Sequence, residues 1–312
     1  RFEILSLDPI FILDGGHNPQ CASSIAKAIS DYLPEQKLRL VIGMLADKNV
    51  SEVIDILAPK VSEFYCLTPD SDRAMPADEL AALIMSKGLS AKSCASSEEC
   101  LSELLESASD QPIMAFGSLY LAGELRESAA KLLQKNQRKE ALAARNSLSK
   151  GYIEVASIAI CKKLISSDEF QKAKKIFVYK AVASEVRLDY LIDKATALGK
   201  EIYYPLCKGE GEMLALKPEA ETVWSIGSFG ISEPSEAGSS EAKPSELDLI
   251  ICPLAAFDEN GNRIGMGGGY YDRFLAKAKS ADVIGVAFDC QRQERILAQT
   301  HDVPLTKVIT EK

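Results

Sequence analysis

"DLIICPLAAFDENGNRIGMGGGYYDRFL", residues 248–275, decides how the second half of the chain is read. The apolar run 247–258 has the composition of a buried strand, "ENGNR" reads as a turn, and Tyr270 to Leu275 opens an amphipathic helix. Between turn and helix stand Gly265, Gly267, Gly268 and Gly269. Such a cluster has two readings: a tight loop whose residues must tolerate positive φ, or a concave row of free backbone N–H groups that lets phosphate oxygens approach where no Cβ stands. The helix after the loop favours the second, because its N-terminus brings a positive dipole end to the glycines. Arg263 just upstream is a phosphate partner, and Asp272 just downstream is a candidate magnesium ligand. Together these outline a nucleotide site.

The common nucleotide signatures do not fit. A Walker loop needs Lys and then Ser or Thr after its last glycine, where this chain has Tyr270. The dinucleotide fingerprint must follow the first strand of a βαβ unit, and this loop comes late in the chain. A net charge of -9 argues against a nucleic-acid surface, so phosphate binding must rest on local charge. The cysteines at 21, 66, 94, 100, 161, 207, 252 and 290 include no C-x-x-C pair and mostly lie in apolar patterns. They read as reduced, buried thiols, which places the protein in the cytoplasm. No apolar run reaches the ~20 residues of a membrane span. The chain opens on "RFEILSLDPIFILD" without an initiator methionine, as a fragment of something longer would.

The 312 residues are enough for two domains. From 10 to 136 strand and helix patterns alternate: "IFILD", "PQCASSIAKAISDYL", "LRLVIGML", "VSEVIDILAPKV", "EFYCLT", "PADELAALIMSKG", "AKSCA", "EECLSELLESA", "PIMAFGS", "LAGELRESAAKLLQ". This predicts a parallel sheet covered by helices. Pro19 and Pro76 fit first-turn positions, Ser96 with Glu99 has capping-box spacing, and Gly88 fits a helix end. From about 137 the helices "RKEALAARNSLS" and "YIEVASIAICKKLISS" precede the strand "KKIFVYKAV", the helix "LDYLIDKATALG" and the strand "EIYYPL". Then "MLALKPEAETVWSIG" reads as a hairpin, "SEPSEAGSSEAKPSE" as a solvated loop, and "DVIGVAFD" and "TKVITE" as strands. The stretch 121–149 has no Gly or Pro after Gly123, so one continuous helix can run through it.

Residues 248–275, with "GSFGISEP" before them and "IGVAFDCQ" and "HDVPLTKVITE" after, resemble the 5-formyltetrahydrofolate cyclo-ligase family over 135–312. The resemblance implies that ATP phosphorylates the formyl oxygen of 5-formyltetrahydrofolate, N10 attacks the activated carbon, and phosphate leaves to give 5,10-methenyltetrahydrofolate. It implies ATP contacts by Lys135, Arg138, Arg263, Ile264, Gly265, Met266, Gly267, Gly268, Gly269, Tyr270 and Tyr271. Lys180, Glu185, Met266 and Tyr270 would line the folate, and Asp272 and Asp302 would hold Mg2+. Arg263, Tyr270 and Asp272 form the implied catalytic set. Taken alone, Glu185 before an apolar helix reads as a helix-start acid, and Asp302 as a capping aspartate. His301, one of two histidines, stays outside the set. The family has a lysine four residues before the arginine matched by Arg138, whereas this chain has Gln134 there and Lys135 one place on, rotated by about 100° on a helix.

"RFEILSLDPIFILDGGHNPQ", "VIGMLADKN" and "FGSLYLAGELR" resemble the C-terminal domain of folylpolyglutamate synthase and dihydrofolate synthase, a Mur-ligase relative, over residues 1–130. Locally "DGGHNPQ" is also an ordinary strand-to-helix turn. The resemblance implies ATP contacts by Arg1 and Asp14, and polar roles at the same site for His17 and Ser118. Asn49 and Gly16 depart mildly from the family's aspartate and alanine. Those ligases carry a P-loop in an N-terminal domain, and no G-x-x-x-x-G-K-[ST] occurs in this sequence. An upstream P-loop ligase domain is therefore expected in the full-length chain. The expected whole is α/β: a Rossmann-like, mostly parallel Mur-ligase C-terminal domain (1–134), then a mixed α/β cyclo-ligase domain (135–312). Three functions stay open: cyclo-ligase, glutamate ligase needing the missing domain, and noncatalytic folate-binding module. The expected partners are folate and ATP, with no nucleic acid and no membrane.

Overall fold

The computed structural model describes residues 2–107, 109–227 and 230–312. Residues 1–133 and 134–312 form two compact units.

The first unit opens with β1 (Phe2–Leu7) and β2 (Ile10–Asp14), an antiparallel pair with Phe2 opposite Asp14. Then α1 (Pro19–Tyr32), β3 (Leu38–Ile42), α2 (Val50–Leu57), β4 (Val61–Cys66), α3 (Ala77–Ser86), β5 (Ala91–Ser93), α4 (Ser97–Glu106) and β6 (Ile113–Phe116) alternate. The sheet order is β1-β2-β6-β3-β4-β5, parallel throughout except for β1. The sequence pattern does not announce β1. It is an edge strand with Phe2, Ile4 and Leu7 exposed and only Leu5 buried, so it lacks the alternation that marks a half-buried strand. Asn18 caps α1 by accepting from Cys21 N at 2.9 Å with Pro19 in the first position, and Ser96 caps α4 by accepting from Glu99 N. Pro76 is the cap residue of α3 rather than a member of its first turn. The ends of β3 and β6 nearly touch: a Cβ on Gly117, at φ +140°, would lie 2.1 Å from the Gly43 carbonyl oxygen.

Helix α5 (Leu119–Asn146) is one element of 28 residues, and the division between the units falls within it. The second unit continues with α6 (Lys150–Ile165), α7 (Asp168–Lys172), β7 (Lys175–Phe177), α8 (Asp189–Ala197), β8 (Glu201–Cys207), β9 (Met213–Pro218), β10 (Trp224–Ile226), β11 (Ser232–Pro234) and β12 (Ser239–Ala242). Next come β13 (Leu249–Pro253), β14 (Ala256–Phe257), β15 (Arg263–Ile264), α9 (Tyr270–Leu275), β16 (Asp282–Val286) and β17 (Lys307–Ile309). The main sheet runs β12-β9-β8-β7-β13-β16-β17, with β8 through β17 parallel and the β9 and β12 edge antiparallel.

Three expectations are corrected here. The stretch 213–227 is no hairpin, because β9 pairs with β8 and β12 while β10 pairs with β11. The polar stretch 232–246 contains β11 and β12, edge strands that need few residues inward: Glu233 and Pro234 are buried in β11, and Ala242 is buried between exposed Glu241 and Lys243. The run 247–258 breaks into β13 and β14, since Ala255 N donates to Ile264 O at 2.7 Å and turns the chain into the β14–β15 hairpin.

Candidate functional site

The glycine loop is built outward from that hairpin. Asp258, 2% exposed, accepts from Asn260 N, Asn262 N, Asn262 Nδ2 and Ile296 N at 2.9–3.0 Å, which fixes the "ENGN" turn. The hairpin buries Ile264 with Ala141, Ala256 and Ile296, so the Ile264 side chain belongs to the core and leaves only its backbone for a ligand. Arg263 is buried, and its Nη2 donates to Asp272 Oδ1 at 2.5 Å in the first turn of α9. Its Nε–H is buried without a partner among the described residues. Burial opposes the charge of Arg263, and the groups around it, with Asp272 and Asp302 among them, more than offset that cost.

Only two of the loop glycines need positive φ, Gly267 at +96° and Gly269 at +65°. Gly268 lies outside that region, and a Cβ there would sit 3.0 Å from the Tyr270 ring. Two of the loop carbonyls are taken, one from each side: Arg138 Nε donates to Gly265 O at 2.7 Å, and Arg273 Nη2 to Gly268 O at 2.6 Å. Arg273 Nε also reaches Gly211 O at 3.0 Å, and Tyr270 Oη donates to Lys208 O at 3.3 Å. Among the described residues no acceptor takes the N–H groups of Met266, Gly267, Gly268 and Gly269. Met266 is 68% exposed. α9 has six residues, so its dipole contributes less than a full helix would. Phe177 stacks on Phe274 at 4.8 Å and holds α9 to the sheet, while the Tyr271 ring packs nearby with its hydroxyl buried and unpartnered among the described residues.

The second half of α5 delivers the remaining cations along one stripe. Gln134, Arg138, Ala141 and Arg145 follow at i, i+4, i+7 and i+11, on one face of a 3.6-residue helix. Lys135 is exposed and makes no hydrogen bond or ion pair among the described residues, whereas Arg138 reaches the loop and burial lowers its pKa. Gln134 is buried. It donates to Leu297 O at 3.0 Å and Asp302 Oδ2 at 3.2 Å, and accepts from Gln299 Nε2 at 2.9 Å. Asp302 also accepts from Gln299 N at 2.8 Å, with exposed His301 Nε2 3.8 Å from its other oxygen. No group of three His, Cys, Asp or Glu side chains among the described residues could hold a metal. Two hard carboxylates suit Mg2+, which keeps several waters and takes phosphate oxygens rather than an all-protein cage.

Glu185 lies in the segment between β7 and α8. Its carboxylate accepts from Val182 N at 3.1 Å and stands 3.9 Å from Arg145 Nη1, and burial raises its pKa. Ala183 holds φ +48°, a strained value for a residue with a Cβ. Lys180 Nζ sits 5.0 Å over the Trp224 ring and 5.2 Å over the Tyr204 ring, and the two rings meet edge to face. Arg145, Ser184, Asn146 and Arg273 are not singled out by the sequence. For Arg145 a signal exists there: an arginine seven residues after Arg138 falls on the same buried face.

In the first unit, β2, β6 and β3 end side by side, with Asp14 opposite Phe116 and Ile42 opposite Phe116. Asp14 is buried and accepts from Gly16 N at 2.7 Å, His17 Nδ1 stands 3.4 Å from Gly15 O, and Ser118 Oγ accepts from Leu121 N at 3.1 Å. These groups sit at the carboxyl ends of parallel strands, where such sheets bind ligands. Arg1 lies outside the described residues.

Comparison with known proteins places both units. The family model described as "5-formyltetrahydrofolate cyclo-ligase family" matches residues 130–311, and "Mur ligase, glutamate ligase domain" matches 1–119. The 5-formyltetrahydrofolate cyclo-ligase of Haemophilus influenzae is 32% identical over 158 residues, 49% of this chain and 84% of that protein. The solution structure of Aquifex aeolicus 5,10-methenyltetrahydrofolate synthetase is 34% identical, with a TM-score of 0.52, and covers 58% of this chain and 90% of its own. A dihydrofolate synthase/folylpolyglutamate synthase of Buchnera aphidicola is 35% identical over 80 residues, 26% of this chain and 19% of that protein. No helix among the described residues is long and apolar enough to cross a membrane. The chain thus belongs to the 5-formyltetrahydrofolate cyclo-ligase family, preceded in the same polypeptide by a Mur ligase glutamate ligase domain.

Proposed function

We propose that the chain converts 5-formyltetrahydrofolate and ATP to 5,10-methenyltetrahydrofolate, ADP and phosphate. The formyl oxygen attacks the γ-phosphorus and ADP departs; N10 then attacks the activated carbon, loses its proton, and the carbon–oxygen bond breaks to release phosphate. An amide oxygen is a poor leaving group, so the protein's task is to stabilise charge on the transferring phosphoryl group. One observation carries this reading: Arg138 and Arg273 occupy the carbonyls of Gly265 and Gly268, and among the described residues the N–H groups from Met266 to Gly269 remain to meet an anion.

In this reading Arg138 and Arg263, with the backbone from Ile264 to Tyr271, bind the ATP phosphates. Asp272 and Asp302 would hold Mg2+, which supplies neutralisation of phosphate charge. Arg263 keeps Asp272 oriented. Glu185 accepts hydrogen bonds from folate N–H groups, and Lys180, Met266 and Tyr270 line the folate. Lys135, exposed and without a hydrogen bond or ion pair among the described residues, would join Arg138 as a second helix cation at the ATP phosphates.

Mixing the chain with Mg-ATP and 5-formyltetrahydrofolate should produce the near-ultraviolet band of methenyltetrahydrofolate, and EDTA should abolish it. Absence of the band under saturating substrates would falsify the assignment. The Mur ligase match supports a second activity, glutamate ligation, for a longer polypeptide that also carries a P-loop domain. Glutamate-dependent ADP formation by the 312-residue chain alone would contradict that division of labour.

A further inference from the structure

Arg145 is buried, 6% exposed, beside the segment that carries Glu185, and nothing in the reaction as drawn uses it. Its guanidinium reaches three parts of the segment's surroundings. Nε donates to Ser184 Oγ at 3.1 Å, Nη1 stands 3.9 Å from Glu185 Oε1, and the same Nη1 approaches Leu254 O at 3.5 Å. Ser184 Oγ in turn donates to Asn146 Oδ1 at 2.5 Å. The side chains of two consecutive residues of α5, Arg145 and Asn146, therefore hold the turn that contains strained Ala183 and presents Glu185.

The charged and titratable groups facing Glu185 are few. Arg145 comes from α5, and the hydroxyls of Tyr179 and Tyr271 come from the strand side and from α9. The Tyr179 hydroxyl is committed to Val186 O at 2.8 Å, and both phenols stay neutral because burial drives their pKa values far up. Arg145 is thus the one cation among them. Burial pushes the Glu185 pKa up while the Val182 N–H and Arg145 pull it down, and a protonated Glu185 could accept fewer hydrogen bonds.

We propose that Arg145 is a positioning residue for the folate half of the site: through Ser184 and its charge it fixes the Glu185 carboxylate in place. This rests on the reading of Glu185 as a folate contact. Arg145 lies seven residues beyond Arg138 on the same helix, so a general disturbance of α5 would weaken ATP as well, whereas the proposed role affects folate alone.

The test is a double-mutant cycle with two readouts: kcat/KM for 5-formyltetrahydrofolate across pH, and folate binding followed by the fluorescence of Trp224, the single tryptophan of the chain. Arg145→Met should lower kcat/KM for folate by about ten- to a hundredfold. It should also move the acid limb of the profile to higher pH and leave the Michaelis constant for ATP within about twofold. Arg145→Lys should restore the position of the acid limb in part. Ser184→Ala, which keeps the charge and is the milder change should Arg145→Met not fold, should weaken folate binding without moving the limb. In a Glu185→Gln background Arg145→Met should add almost no further loss. Multiplicative losses in the cycle, or an equal loss for ATP and folate, would make Arg145 merely structural and overturn the proposal. If Glu185→Gln itself leaves folate binding unchanged, the reading of Glu185 fails first and the proposal fails with it, a result distinguishable because Arg145 then has nothing to position.

Discussion

Glu185 is held where its own charge is costly, and that has a measurable sign. Its folded pKa is raised by burial, with the Val182 N–H and Arg145 pulling the other way. A carboxyl whose folded pKa exceeds its unfolded value stabilises the fold below the unfolded pKa, and loses that contribution as pH rises through the folded pKa. Glu185→Gln should therefore raise thermal stability at neutral pH, by on the order of 1 kcal/mol. The gain should fade as pH falls into the ordinary carboxylate range, and melting curves at the two pH values check it. A gain that persists in acid would mean that packing, not charge, is responsible. The loop glycines make a second residue-scale case. At Gly267 a Cβ would have room, 3.8 Å from Arg138 Cζ, but φ +96° is unfavourable for any other residue. Gly267→Ala should cost about 1–2 kcal/mol of loop strain and raise the Michaelis constant for ATP roughly tenfold while folate affinity holds. An unchanged Michaelis constant would make the loop a structural turn. The residues legible in the sequence are those whose meaning is local: the glycines, Arg263 and Asp272 all fall within ten positions. Arg145 reaches a residue 39 positions away and Arg273 one 62 positions away, so their roles require the fold.

Among the elements, α5 carries most consequence. Its first half buries Leu121, Leu125, Ala129 and Leu133, and its second half carries Gln134, Arg138, Ala141 and Arg145 inward. A chain cut at 135 would place Arg138 within a turn of a new N-terminus, where unsatisfied N–H groups and costly nucleation fray a helix. Residues 119–312 should keep the Michaelis constant for ATP of the full chain, and residues 135–312 should raise it about tenfold, the loss expected for one charge-assisted contact. Equal constants for the two fragments would show that Arg138 needs no helix ahead of it. Most elements are legible because strands and helices alternate with Gly, Pro and cap residues at their borders. Three of the misread strands share one cause. β1, β11 and β12 are edge strands, and an edge strand bordered by water needs neither a continuous apolar run nor strict alternation. The strand ending at Phe177 is three residues long although its apolar pattern runs further, because the chain leaves the sheet to form the strained turn at Ala183.

For the whole molecule, acidity and chemistry separate. A chain of net charge -9 can bind anionic substrates only through local cations, and Arg138 and Arg263 both stand at the glycine loop, as the proposed ATP site requires. The thiols show a similar division between inside and outside. Cys66, Cys94, Cys100, Cys161 and Cys252 are buried, Cys21 and Cys207 half-buried, and Cys290 alone is exposed among the described residues. Partial burial and the nearby Glu311 raise its pKa, so it is a slow nucleophile at neutral pH. A molecule with one outward thiol has a valence of one. Ageing in air should link two chains through Cys290 and stop there, giving a band at twice the chain's mass on a non-reducing gel, lost in Cys290→Ser, with no ladder above it. The same valence makes Cys290 a ready single attachment point for a dye or a surface, placed on the second unit and away from the glycine loop in sequence.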